Sequence, residues 1–207
     1  FDLCIASPGI SQFSAFYEAA AAVSAEGISE VEVAWRESAA DSRWVAVTGT
    51  NGKTTTTTLI AKILEHAGKK VWIGGNIGQP LLPLAKEMSP EDFAVVELSS
   101  FQLMTMTSSA EVAVVTNLAP NHLDVHKDMA EYIAAKQNVY LHQSRTGKLV
   151  VNMDNAITDG FAESAPGTVE KFSRLGRPER GVWLNGDTIY RNDTPIMNAA
   201  DIRIPGV

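Results

Sequence analysis

The sequence is short of the features that would take it out of the ordinary globular classes. One cysteine, Cys4, stands in 207 residues, so no internal disulfide can form and a reducing compartment fits. Within its apolar run Cys4 reads as a small core residue, not a nucleophile. No apolar stretch approaches the ~20 residues that span a bilayer, and the N-terminus lacks the basic segment of a secretion signal. A cytoplasmic protein without membrane insertion is therefore expected. Positive charge is also scarce: 17 Lys and Arg against 24 Asp and Glu give a net charge of -7. Those cations are scattered, so no face offers the basic stripe a nucleic acid needs. A hydrophobic content of 45% excludes disorder.

What is present is a repeated alternation. Apolar runs at Asp2 to Ala6, Trp44 to Thr48, Val71 to Ile73, Phe93 to Leu98, Val112 to Thr116 and Leu149 to Val151 read as strands. They are continuous, as in strands covered on both faces, and the segments between them are long enough for crossover helices. The expected fold is α/β, a mostly parallel P-loop-type sheet flanked by helices. A helix is predicted from about Lys53, with Leu59, Ile60, Ile63 and Leu64 facing inward and Gly68 closing it. Another is predicted over Met129 to His142, with Tyr132, Ile133, Val139 and Tyr140 inward. Asn185-Gly186-Asp187 between Val182 to Leu184 and Thr188 to Tyr190 is a hairpin signal, which predicts a small antiparallel β appendage. Ser7-Pro8-Gly9 after the first strand, then an Ala-rich helix over Phe16 to Ala25, suggests that residues 1–33 end a preceding Rossmann-like domain, with the central domain at 34–207. Phe1 in place of Met, and an end at Ile204-Pro205-Gly206-Val207, raise the expectation of a piece of a longer chain.

Four loops carry the chemistry. Strand Trp44 to Thr48 runs into Gly49-Thr50-Asn51-Gly52-Lys53-Thr54-Thr55, where glycines let backbone N–H groups turn toward an anion at a helix N-terminus. Lys53 adds a charge, and Thr54 a hydroxyl suited to a phosphate-bound magnesium ion. The spacing is shorter than in the standard P-loop, with Val47 where that motif has glycine. Glu97, at the tip of an apolar strand, is expected to face the same edge, where ligands of open α/β sheets gather. Strand Val112 to Thr116 delivers Asn117 to Asp124 there, including His122. Gly74-Gly75-Asn76-Ile77-Gly78 forms the fourth loop, whose small residues suit close approach of a ligand backbone. Taken by residue type, His122 is a metal ligand or a hydrogen-bonded loop residue, and Lys136 is a surface lysine.

Thr48-Gly49-Thr50-Asn51-Gly52-Lys53-Thr54 resembles the ATP loop of the Mur ligases and their folylpolyglutamate synthase relatives, which join an amino acid to a carboxylate at the expense of ATP. Ser7-Pro8-Gly9-Ile10, the Gly74 to Gly78 loop and Glu97-Leu98-Ser99-Ser100-Phe101-Gln102-Leu103 extend the resemblance over most of the chain, toward the D-glutamate-adding branch of the family. The resemblance implies a preceding UDP-binding domain, of which only the end is expected here, and a following amino-acid-binding domain, which no part of the sequence resembles. It implies UDP-N-acetylmuramoyl-L-alanine and D-glutamate as substrates, an acyl-phosphate intermediate and a monomer. It further implies ATP on Gly49 to Thr55, catalytic roles for Lys53, Glu97, His122 and Lys136, one magnesium ion on Thr54 and Glu97, and a second on His122 and a carbamylated Lys136. Gly9, Gly75, Asn76, Ser99, Gln102 and His122 would lie against the muramoyl substrate. Asn121 stands where the family commonly has aspartate. Another amide ligase of the superfamily, or a non-catalytic nucleotide-binding switch, stays open as an alternative.

Overall fold

The computed structural model describes residues 1–6, 10, 14–38, 43–121 and 126–203. It begins with β1 (Leu3–Ala6), α1 (Ala15–Ala22) and β2 (Glu26–Ser29), the two strands forming a separate parallel pair. Cys4 on β1 is half-buried, outside the main core. Ser29 ends β2 and caps α2 (Glu30–Glu37), accepting from Glu32 N, so strand turns directly into helix. Val31 and Ala34 of α2 pack into the same core as Trp44, Leu81 and Val96. The predicted boundary near residue 33 thus falls inside one helix.

The main sheet has nine strands. It is built from β3 (Arg43–Thr48), α3 (Lys53–His66), β4 (Val71–Gly75), β5 (Phe93–Glu97), α4 (Ser100–Met104), β6 (Val112–Val115), α5 (Met129–Gln137), β7 (Lys148–Asn152), α6 (Ala156–Gly160), β8 (Thr168–Ser173), β9 (Gly181–Asn185), β10 (Thr188–Arg191) and β11 (Thr194–Asn198). In space the order is β11-β10-β9-β8-β7-β6-β3-β5-β4. All pairings from β4 to β9 are parallel, and β9-β10-β11 is antiparallel. The predicted appendage is therefore continuous with the sheet, and β8, β11 and β2 were absent from the sequence reading because none of them consists of an unbroken apolar run.

The central strands are buried over all but their first residues, Arg43 and Phe93, as continuous apolar runs require. The helix α3 forms despite its five consecutive threonines. Its inward stripe is Thr57, Ile60, Ala61 and Leu64, whereas Leu59 and Ile63 are exposed. The predicted stripe was rotated because the helix starts so close to the sheet edge that the small Thr57 and Ala61 must face β3 and β5. On α5 Tyr132 is buried with Val139 and Tyr140 just beyond it, and Ile133 packs against the core.

Candidate functional site

Parallel register puts the ends of the central strands level. Val47 and Gly75 both pair with Glu97, and Thr48 pairs with Val115. Whatever follows Thr48, Gly75, Glu97 and Val115 must emerge at one edge, beside the N-terminus of α3. The geometry there is tightly specified. Gly49 has φ +145°, and any Cβ on it would collide with the Thr116 hydroxyl. Asn117 clasps the loop with its side chain, accepting from Asn51 N at 3.1 Å and donating to Asn51 O at 3.0 Å, while its own carbonyl takes Thr50 N at 2.8 Å. The Thr50 hydroxyl donates to Ala119 O at 3.1 Å and lies 3.2 Å from the Tyr132 hydroxyl. With Gly52 at φ +79° as its N-cap, α3 starts without a side-chain cap, which leaves its first N–H groups open to an anion. Lys53 donates to Thr50 O at 2.9 Å and so sits folded over its own loop.

Glu97 is 2% exposed. The Thr54 hydroxyl donates to one of its oxygens at 2.7 Å and the Asn76 amide to the other at 2.9 Å. This links the first, second and fourth loops through one carboxylate. Gly75, at φ +87°, lies against the Glu97 carbonyl, and Gly74 against Leu81. The smallness of these two glycines therefore serves the protein's own packing at this edge. A buried carboxylate beside an exposed hydroxyl is a hard oxygen set that suits magnesium, which takes few protein ligands and completes its shell with water and phosphate oxygens. Among the described residues no group of three His, Cys, Asp or Glu side chains gathers.

Lys136 departs from what its residue type alone suggests. It is 2% exposed, not a surface lysine, because α5 crosses directly under the loop. Its Nζ donates to the Thr48 hydroxyl at 2.9 Å and to Gly49 O at 3.3 Å, and lies 5.5 Å from the Tyr132 ring centre. Burial, reinforced by the charge of Lys53 and opposed by Glu97, pulls its pKa down from 10.5 to about 7. Gly49, Thr50, Lys53, Asn76, Ser99 and Lys136 line one cavity of about 260 Å³. Gly75 and Asn76 also line a second, of about 370 Å³, between Ile5 of β1 and Glu30 of α2. Gln102 is buried in a capping box with Ser99, its Oε1 accepting from Ser99 N at 3.0 Å and from the Ser99 hydroxyl at 2.9 Å. Asn51, Gly52 and Thr55 are exposed on the loop and first turn of α3. Gly9 and His122 lie outside the described residues. Asn117, Tyr132 and Thr48 were not singled out from the sequence as site residues. Thr48 left a signal as the residue that opens the loop motif, and Tyr132 as the residue four before Lys136 and so on the same helix face.

A glycine loop between a buried strand and a helix, with a lysine over it and a hydroxyl–carboxylate pair beyond, defines a nucleotide-binding α/β protein of P-loop type. Residues 47–199 match the Mur ligase middle domain, and the chain belongs to that family. It is 48% identical, over its whole length, to a protein of Acetivibrio thermocellus named UDP-N-acetylmuramoylalanine--D-glutamate ligase, and covers 45% of that protein. A Clostridium acetobutylicum protein of the same name is 52% identical over 78% of the chain, which spans 35% of it. The chain thus spans less than half the length of these relatives. Among solved structures, a UDP-N-acetylmuramoyl-L-alanyl-D-glutamate--2,6-diaminopimelate ligase superposes with a TM-score of 0.61 at 22% identity, over 94% of this chain and 51% of that one. The Escherichia coli FolC complex with DHPP and ADP gives 0.59 at 17% identity, over 84% of this chain and 53% of that one. At these identities the structures share the fold.

Proposed function

We propose that the chain is the ATP-handling part of a ligase that joins D-glutamate to UDP-N-acetylmuramoyl-L-alanine. Residues 1–33 are proposed to end a preceding UDP-binding unit. The observation that carries the reading is the convergence on one crevice of Lys53, the Thr54–Glu97–Asn76 bridge and the buried Lys136. A nucleotide switch needs the loop but has no use for a buried lysine of lowered pKa beside it. The names of the relatives, at about half identity, favour D-glutamate over other amino acids.

On this reading the phosphates lie on the open N–H groups at the start of α3, and Lys53 exchanges the Thr50 carbonyl for a phosphate oxygen. The substrate carboxylate attacks the γ-phosphate to give an acyl phosphate, which the amine of D-glutamate then opens to the amide with loss of phosphate. Anion attacks anion in the first step, so the positive charge of Lys53, half-buried and held at the cavity wall, stabilises the transition state more than it would in water. Thr54 and Glu97 would hold one magnesium ion, and His122 with a carbamylated Lys136 a second. When bound, these ions would neutralise charge on the phosphates and the attacking carboxylate. Asn76 fixes the direction of the Glu97 carboxylate by holding the oxygen that Thr54 does not. Lys136 reacts with carbon dioxide only as a neutral amine, a form its burial favours.

Phosphate release by the full-length protein tests the proposal. It should require both UDP-N-acetylmuramoyl-L-alanine and D-glutamate. Turnover with a folate substrate would favour the folylpolyglutamate synthase reading, and nucleotide-dependent partner binding without either turnover would favour the switch.

A further inference from the structure

The direction of the hydrogen bonds around Lys136 is fixed by the residue that opens the loop motif, ahead of the glycines that cradle an anion. Thr48 is fully buried at the end of β3. Its hydroxyl carries one hydrogen, and that hydrogen goes to Leu98 O at 2.7 Å. Only lone pairs are left to face Lys136, whose Nζ lies 2.9 Å away. The second partner, Gly49 O, is also a pure acceptor. Lys136 thus meets two acceptors and, among the described residues, no other hydrogen-bond partner. These two acceptors hold two of the nitrogen's N–H bonds, so its remaining position, the one that would carry a new bond, is directed away from both. The cavity containing Lys53 and Asn76 is what remains on that side.

We propose that Thr48 is a positioning residue: its hydroxyl, oriented by Leu98 O, holds the Lys136 nitrogen through an N–H and turns the lone pair to the cavity, where it takes up carbon dioxide. This rests on the reading of Lys136 given above. In the step the nitrogen lone pair forms the N–C bond, one C=O π pair moves onto oxygen, and one N–H proton leaves to water in the crevice. The product keeps one N–H. Thr48, the nearer acceptor, retains it, so the same contact holds the lysine before and after the reaction and leaves the new carboxylate in the crevice.

The test uses the full-length protein, with carbamate read by carbon-13 NMR in [13C]bicarbonate and, separately, by the bicarbonate dependence of phosphate release. Thr48→Val keeps the shape and removes the acceptor, and Thr48→Ser keeps the hydroxyl. Thr48→Val should need at least tenfold more bicarbonate than wild type for half-maximal carbamate signal, and Thr48→Ser should stay within about threefold, the spread that loss or retention of one buried hydrogen bond implies. If Thr48→Val does not fold, Thr48→Cys, a weaker acceptor, should show a smaller increase in the same direction. A wild-type signal that disappears in Lys136→Ala, combined with a Thr48→Val curve equal to wild type, would overturn the role of Thr48 alone. Absence of a Lys136-dependent signal in wild type would overturn the reading beneath it, and the present proposal with it.

Discussion

At the scale of single residues, the site depends on where charge is buried. Lys136 loses hydration on folding, and this sets a sign that can be checked. Between about 7 and 10.5 the unfolded chain binds a proton at this lysine that the folded chain does not. Stability therefore rises with pH across that window, and the full penalty applies below it. In carbon-dioxide-free buffer, the gain in unfolding free energy from pH 7 to pH 9.5 should be larger in wild type than in Lys136→Met, by a difference on the order of a few kcal/mol. Equal slopes in the two proteins would show that Lys136 is charged at neutral pH. Glu97 offers a second check. Glu97→Gln keeps the shape but removes the charge that faces Thr54, so substrate-dependent phosphate release should fall by roughly a hundredfold or more, the scale of losing one electrostatic contact in a catalytic site. Nucleotide-independent stability should change far less.

At the scale of elements, the helix α3 shows what decides a local structure. Five β-branched threonines cost helix propensity, yet the helix forms because the loop before it fixes its start and the sheet needs its inner face. Thr57 is fully buried there with a hydroxyl that has no hydrogen-bond partner among the described residues. Thr57→Val should accordingly be neutral or stabilising by up to about 1 kcal/mol in chemical denaturation, since it removes an unsatisfied polar atom at constant shape. The cap of α4 predicts the opposite sign. Ser99→Ala breaks the capping box with Gln102 and should destabilise by about 1 kcal/mol. These two elements also mark how far the sequence could be followed. The central strands were legible because burial on both faces writes them as unbroken apolar runs, and the level of Glu97 with Gly75 followed from parallel pairing. Of the inner face of α3 only Ile60 and Leu64 were legible, since the small Thr57 and Ala61 near the sheet edge carry no hydrophobic period. The burial of Lys136 was invisible in residue type, because a lysine in Ala134-Ala135-Lys136 looks the same on either face of a helix. Asn117 was hidden for another reason: an amide that pairs with a distant backbone leaves no trace in local pattern.

At the scale of the molecule, one continuous sheet carries a nucleotide edge at its centre and an antiparallel extension at one end, while a separate two-stranded unit leads through α2 into the core. The cavity bounded by Ile5 and Glu30 joins that unit to the Gly75–Asn76 loop, so a ligand spanning both would connect the first unit to the chemistry. The family relationship and the shared span of less than half of the relatives make the complete polypeptide the proper subject of any assay. Residues 1–207 by themselves should bind nucleotide at least tenfold more weakly than the full-length protein and should release no substrate-dependent phosphate. Comparable affinity, read by calorimetry, would place the whole nucleotide site within them. The transfer of oxygen reports most directly on whether the crevice activates a carboxylate with ATP. UDP-N-acetylmuramoyl-L-alanine labelled with oxygen-18 in its alanyl carboxylate, incubated with the full-length protein, ATP and D-glutamate, should give inorganic phosphate carrying one labelled oxygen for each amide formed; amide formation with unlabelled phosphate would contradict the assignment.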